Sequence, residues 1–117
     1  MTEIINMKIC KSELSMADHG VLTFNLTLEG SGCGVVYGGR VIGKGCLGAK
    51  EFEGSAKGTE ALMRIMDTVG VERWEDLPGK YVRVVSDGWG STITKIGNII
   101  DDKWFDAKEF FDDSHIS

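Results

Sequence analysis

The chain has 117 residues, 42 % hydrophobic and 26 % charged, with a formal net charge of −5. That is ordinary globular composition at one domain's length, so residues 1–117 read as a single domain with 112–117 as a frayed tail. The charge argues against a protein that grips duplex nucleic acid by neutralising phosphates. No apolar run approaches the roughly 20 residues that span a bilayer, so no membrane partner is expected.

The opening stretch MTEIINMKICKSE lacks a basic start, an apolar core and a cleavage site, so no secretory signal is expected. Residues 4–10 alternate, with Ile5, Met7 and Ile9 on one face and Asn6, Lys8 and Cys10 on the other, the mark of a half-buried strand. Leu14 and Met16 are out of phase with that face, and a bulge near Lys11–Glu13 would restore it. MADHG supplies turn chemistry through Asp18 and Gly20. Residues 21–29 then alternate cleanly, with Leu22, Phe24, Leu26 and Leu28 as the core face. An antiparallel hairpin follows from these two strands.

Residues 30–48 hold eight of the sixteen glycines. Glycine within strands marks bulges or close backbone approach, so CGVVYGG and RVIG read as two short strands of a strongly bent hairpin. From Ser55 to Val69, the positions Ala61, Leu62, Ile65, Met66 and Val69 paint one helical stripe, which Met63 could widen. Ser55 and Thr59 are rival N-caps, and Gly70 sits where a left-handed residue would end the helix. Pro78-Gly79 reads as a turn. Residues 80–85 alternate again, with Val82 and Val84 inward. SDGWGS is a loop, and residues 92–100 read as a last long strand with a bulge at Gly97. DDKWFDAKEFF suggests a short helix whose Trp104, Phe105, Phe110 and Phe111 seal the core edge. The sum is an α+β domain: a curved antiparallel sheet or small half-open barrel with one packed amphipathic helix.

GKGCLG, residues 43–48, matches G-x-G-x-x-G literally. The antiparallel context and Gly54 before the helix reject a dinucleotide fold, which needs the motif between a strand and a helix. Glycine-rich turns also expose N–H groups that bind anions, and Arg40 and Lys44 flank this one. A merely bent hairpin and an anion site both fit. Cys10, Cys33 and Cys46 are an odd set without C-x-x-C spacing, which favours a reducing cytoplasm over a disulfide scaffold. Each reads as a small buried or half-buried apolar residue. Neither they nor the two histidines show zinc spacing, and no metal or cofactor is expected. No hydrolase or metalloprotease motif occurs, and the chain reads as non-enzymatic. Trp89, between two glycines, suits stacking or an interface. Tyr37 and His19 are further ligand candidates.

SMADHGVLTFNLTLEG, GTEALMRIMDTVGVERWEDLPGKYVRV and IGNIIDDKWFD together resemble a group of small bacteriophage and prophage proteins. The resemblance runs from about Leu14 to Phe111 and carries no catalytic or ligand residues to transfer. It implies a phage accessory protein made in the host bacterial cytoplasm. By that context, the expected function is sequestration of a small phosphate-bearing ligand, such as a host immune nucleotide signal, by an anti-defence sponge acting as a homo-oligomer. The expected ligand residues are Tyr37, Gly39, Arg40, Lys44, Trp89 and His19. Two other readings stay open: an inhibitor that binds a host defence protein directly, and an accessory factor in phage replication.

Overall fold

A computed structural model describes residues 3–18, 20–30, 33–45, 48–86, 93 and 95–112. Its sheet is built from β1 (Glu3–Asp18), β2 (Val21–Gly30), β3 (Cys33–Lys44), β4 (Glu53–Gly54), β5 (Tyr81–Ser86), β6 (Lys95–Gly97) and β7 (Trp104–Asp106). The order is β4-β3-β2-β1-β5-β6-β7, and every pairing is antiparallel. Helix α1 (Ala56–Val69) and the short α2 (Ala107–Asp112) complete an α+β half-barrel.

Cross-strand partners share a face, and the register lines the concave side with the core. Ile9 faces Leu28, Leu26 faces Tyr37, Met7 faces Val82, and Ile96 lies between Val84 and Phe105. All of these are buried. The bulge anticipated in β1 exists one residue early, at Cys10: Ile9 pairs with Leu28 but Lys11 with Thr27. It turns Leu14 onto the same side as Phe24, as phase repair requires. Cys10 itself is exposed rather than apolar and buried. Its thiol donates to Glu29 Oε2 at 3.3 Å, and that carboxylate holds its pKa above the ordinary value.

The glycine-rich stretch is not a hairpin of its own. Residues Cys33–Lys44 form one strand, β3, between β2 and the two-residue β4. The expected bending is present as two register shifts, one around Gly38–Arg40 and one at Ile42, each placing an additional β3 residue against β2. Gly38 and Gly39 have φ of +116° and +76°. A Cβ on Gly38 would lie 2.6 Å from the Phe24 carbonyl oxygen, so the kink closes only on glycine.

Helix α1 begins at the first of its two candidate caps: Ser55 Oγ accepts the Gly58 N–H at 2.9 Å. Gly70 ends it at φ +95°, donating its N–H to Met66 O. Gly58, Ala61, Ile65 and Thr68 are buried, so the buried line is rotated slightly from the stripe centred on Leu62 and Met66, which are half-buried. Met63 is exposed and does not widen the face. The cause is Gly58, which lets the helix rest directly on Ile42. Ser55→Ala is expected to cost about 1 kcal/mol, read as a shift of the urea midpoint at unchanged slope.

Of the long strand expected over 92–100, Lys95–Gly97 is strand, 98–100 are not, and residues 92 and 94 lie outside the described residues. Asn98 stops the strand, because its Oδ1 accepts the N–H groups of Ile100 and Asp101, both at 2.8 Å. Its Nδ2 donates to Thr68 O at the end of α1. This local turn competes with the ladder and leaves Ile100 85 % exposed. Gly97 is not a bulge; the Trp104 ring lies flat where its side chain would be. Trp104 pairs with Gly97, which pairs with Arg83, so it sits on the outer face instead of sealing the core. Phe105 is buried, and Phe110 and Phe111 pack against the core from α2. Asp112 belongs to α2 rather than to a frayed tail, and 113–117 lie outside the described residues.

Candidate functional site

Tyr37 is 1 % exposed and offers no face to a ligand. Its Oη donates to Phe105 O at 3.1 Å and accepts the Ala107 N–H at 3.2 Å. The side chain thus reaches from β3 to the β7–α2 junction and ties the two ends of the curved sheet together. Burial drives its pKa well above the ordinary tyrosine range, with a smaller contribution from Asp106.

Arg40 stands just past the β3 kink beside α2. Its guanidinium is 5.8 Å from the Phe111 ring centroid and 4.0 Å from Asp112 Oδ1. Gly39 and Lys44 are exposed on the same strand. His19 and Trp89 lie outside the described residues. The structure therefore brings Arg40 to α2 but does not gather Tyr37, Gly39, Arg40 and Lys44 around one opening.

Cations converge instead on the seam of α1, α2 and the β6–β7 ribbon. Lys57 and Arg64 are seven residues apart and share one helical face. Lys57 Nζ lies 4.2 Å from the Phe110 ring centroid, and the Arg64 guanidinium carbon lies 5.6 Å from it. Lys95 Nζ is 5.2 Å from the Trp104 ring. Between Arg64, Lys95, Trp104, Asp106, Glu109 and Phe110 is a groove of about 330 Å³. Glu60 holds Arg64 at 2.6 Å, and Asp106 Oδ1 accepts the Glu109 N–H at 2.9 Å. Lys57 and Lys95 make no ion pair with a described residue.

Sequence reasoning passed over these cations because nothing in the order of residues places β6–β7 beside α1. The seven-residue spacing of Lys57 and Arg64 was the one available signal. A second concavity, about 610 Å³, follows α1 between Gly70 and Lys80. It carries Glu72, Glu75 and Asp76, and its Arg73 lies 3.6 and 3.9 Å from two of those carboxylates. An anion would meet net repulsion there.

Among the described residues, no helix is long and apolar enough to cross a membrane. No protein-family model, curated protein or solved structure matches this chain.

Proposed function

We propose that this protein is a non-enzymatic phage accessory protein that captures a small phosphate-bearing ligand, of the class of host immune nucleotide signals, as a homo-oligomer in the host cytoplasm. The observation that supports this reading is the placing of Arg64 and Lys95 on a 330 Å³ groove beside the Phe110 and Trp104 rings, with Lys57 also over the Phe110 ring. Pockets for small ligands start at about that size. Arg64 offers a planar fork to phosphate and Lys95 a point charge. The Phe110 and Trp104 rings beside them offer apolar surface to a base. Arg64 is shared with the exposed Glu60, but such surface pairs are worth only about 0–1 kcal/mol, so phosphate can displace the carboxylate. Arg64 and Lys95 balance Asp106 and Glu109 in the lining, so the overall charge of −5 does not bar a phosphate that the two cations can reach. The phage setting rests on the sequence resemblance.

The test is calorimetric titration of linear and cyclic nucleotides into wild type, Arg64→Ala and Lys95→Ala. A charge-assisted hydrogen bond contributes about 1.5–3 kcal/mol, so each variant should bind roughly ten- to a hundredfold more weakly. Equal affinity in all three proteins places the site elsewhere. A wild type that binds none of the panel overturns the reading and puts direct binding of a host defence protein first. Salt-sensitive binding to oligonucleotides would instead favour the replication factor.

A further inference from the structure

Among the described residues, the only strand paired with the outer edge of β3 is β4. It covers only Gly43 and Lys44, while Val36 is 59 % exposed. Proteins guard such edges with lysine, proline or bulges. Here the register shifts begin only after Gly38, and Cys33–Tyr37 carries no charge and no proline. Gly34 adds a second observation. Its backbone is ordinary strand, and a Cβ built on it meets only the Leu28 carbonyl oxygen, at 3.6 Å. Nothing described within the chain requires glycine there, unlike Gly38, Gly58 or Gly97. A strand glycine without an internal reason marks a place where something else approaches.

We propose that this edge pairs antiparallel with the same edge of a second copy of the chain, about a two-fold axis at Val35. In that register Val36 of each copy stands directly opposite Gly34 of the other, on the outer face. The exposed isopropyl group fills the place of the missing side chain, twice per dimer. A two-fold pairing is self-complementary, and an uncharged strand sets no like charges against each other across the axis. Strand addition of this kind takes its affinity from main-chain hydrogen bonds and its specificity from the alternate side chains. A second copy suits the edge better than a charged segment, which would find no counter-charge on it. The kink at Gly38 limits the pairing to the residues before it.

The inference deepens the homo-oligomer reading above and rests on it. Sedimentation equilibrium of wild type, Gly34→Val and Val36→Lys, across a concentration series into the millimolar range, separates the two. Wild type should dimerise. Both variants should weaken dimerisation at least tenfold while keeping the wild-type circular dichroism. Gly34→Val should melt no lower than a wild-type sample diluted to monomer, because valine favours the strand and meets no described clash. If wild type dimerises and both variants dimerise equally well, the edge is not the interface and the oligomer reading survives. If wild type is monomeric throughout, both fall.

Discussion

Replacing Phe24 by alanine should cost about 3–5 kcal/mol of folding free energy and lower the melting midpoint by on the order of 10–20 °C. Phe24 is fully buried on β2, where three parts of the chain meet its ring. Trp74, from the connection after α1, packs edge-on at 6.4 Å, and Phe111 of α2 stacks at 6.3 Å. The third is the β3 kink: a Cβ on Gly38 would lie 2.9 Å from the ring atom Cε2. Removing the ring leaves a hole walled by backbone and two large aromatics, none free to follow it inward. Poor relaxation is what moves a large-to-small change toward the upper end of its range. Urea unfolding reads the result directly. A loss below about 1 kcal/mol would mean that the site collapses readily and that the three contacts do not depend on one another.

Much of this fold was legible because two periods carry it. The alternation in β1, β2 and β5 placed Met7, Ile9, Phe24, Leu26, Leu28, Val82 and Val84 on the buried face. The phase slip at Leu14 called for a bulge, and one is present at Cys10. What stayed hidden were choices made by contacts distant in sequence. Period alone cannot show that Asn98 will cap α1 through Thr68 O and so truncate a run of isoleucines. Nor can it show that Trp104 will lie on Gly97, on the outer face. An aromatic laid over a strand glycine protects its backbone, and Arg83 completes that stack at 4.6 Å from the ring. The apolar character of Trp104 was visible, but the face it occupies is set by its partner strand.

The candidate site was less legible for the same reason. Of the two roles open to the glycines of residues 30–48, a bend and an anion cradle, the bend of β3 is the one that Gly38 and Gly39 serve. That bend carries Arg40 to α2, where the seam of cations lies, so one of the anticipated residues reaches the neighbourhood through the fold rather than through its loop. Tyr37 shows the converse. Lying between Val36 and Gly38-Gly39, it reads as a ring that either stacks on a ligand or packs, and the β2–β3 register sets it opposite Leu26, on the core face.

Tyr37→Phe should therefore damage folding, with any loss of ligand binding secondary. The substitution keeps the ring and removes the hydroxyl, and with it two buried hydrogen bonds, one to Phe105 O and one from the Ala107 N–H. Each such hydrogen bond contributes about 0.5–1.5 kcal/mol, and together a loss of about 1–3 kcal/mol is expected. The pH dependence gives an independent signature. Burial raises the folded-state pKa of Tyr37 above its ordinary value of 10.0. As pH rises through 10, the unfolded chain releases the phenolic proton while the native state keeps it. The unfolded state then binds fewer protons, so stability falls with pH, by about 1.4 kcal/mol per unit from this one group. Below pH 10 the contribution is fully present and flat. Lysines titrate in the same range in both proteins, so the difference between wild type and Tyr37→Phe isolates the tyrosine. The stability gap between the two should be constant up to about pH 10 and narrow above it. Urea unfolding at a series of pH values measures it, and a gap that stays constant to the alkaline limit would show that the Tyr37 hydroxyl is not the buried clasp between β3 and α2.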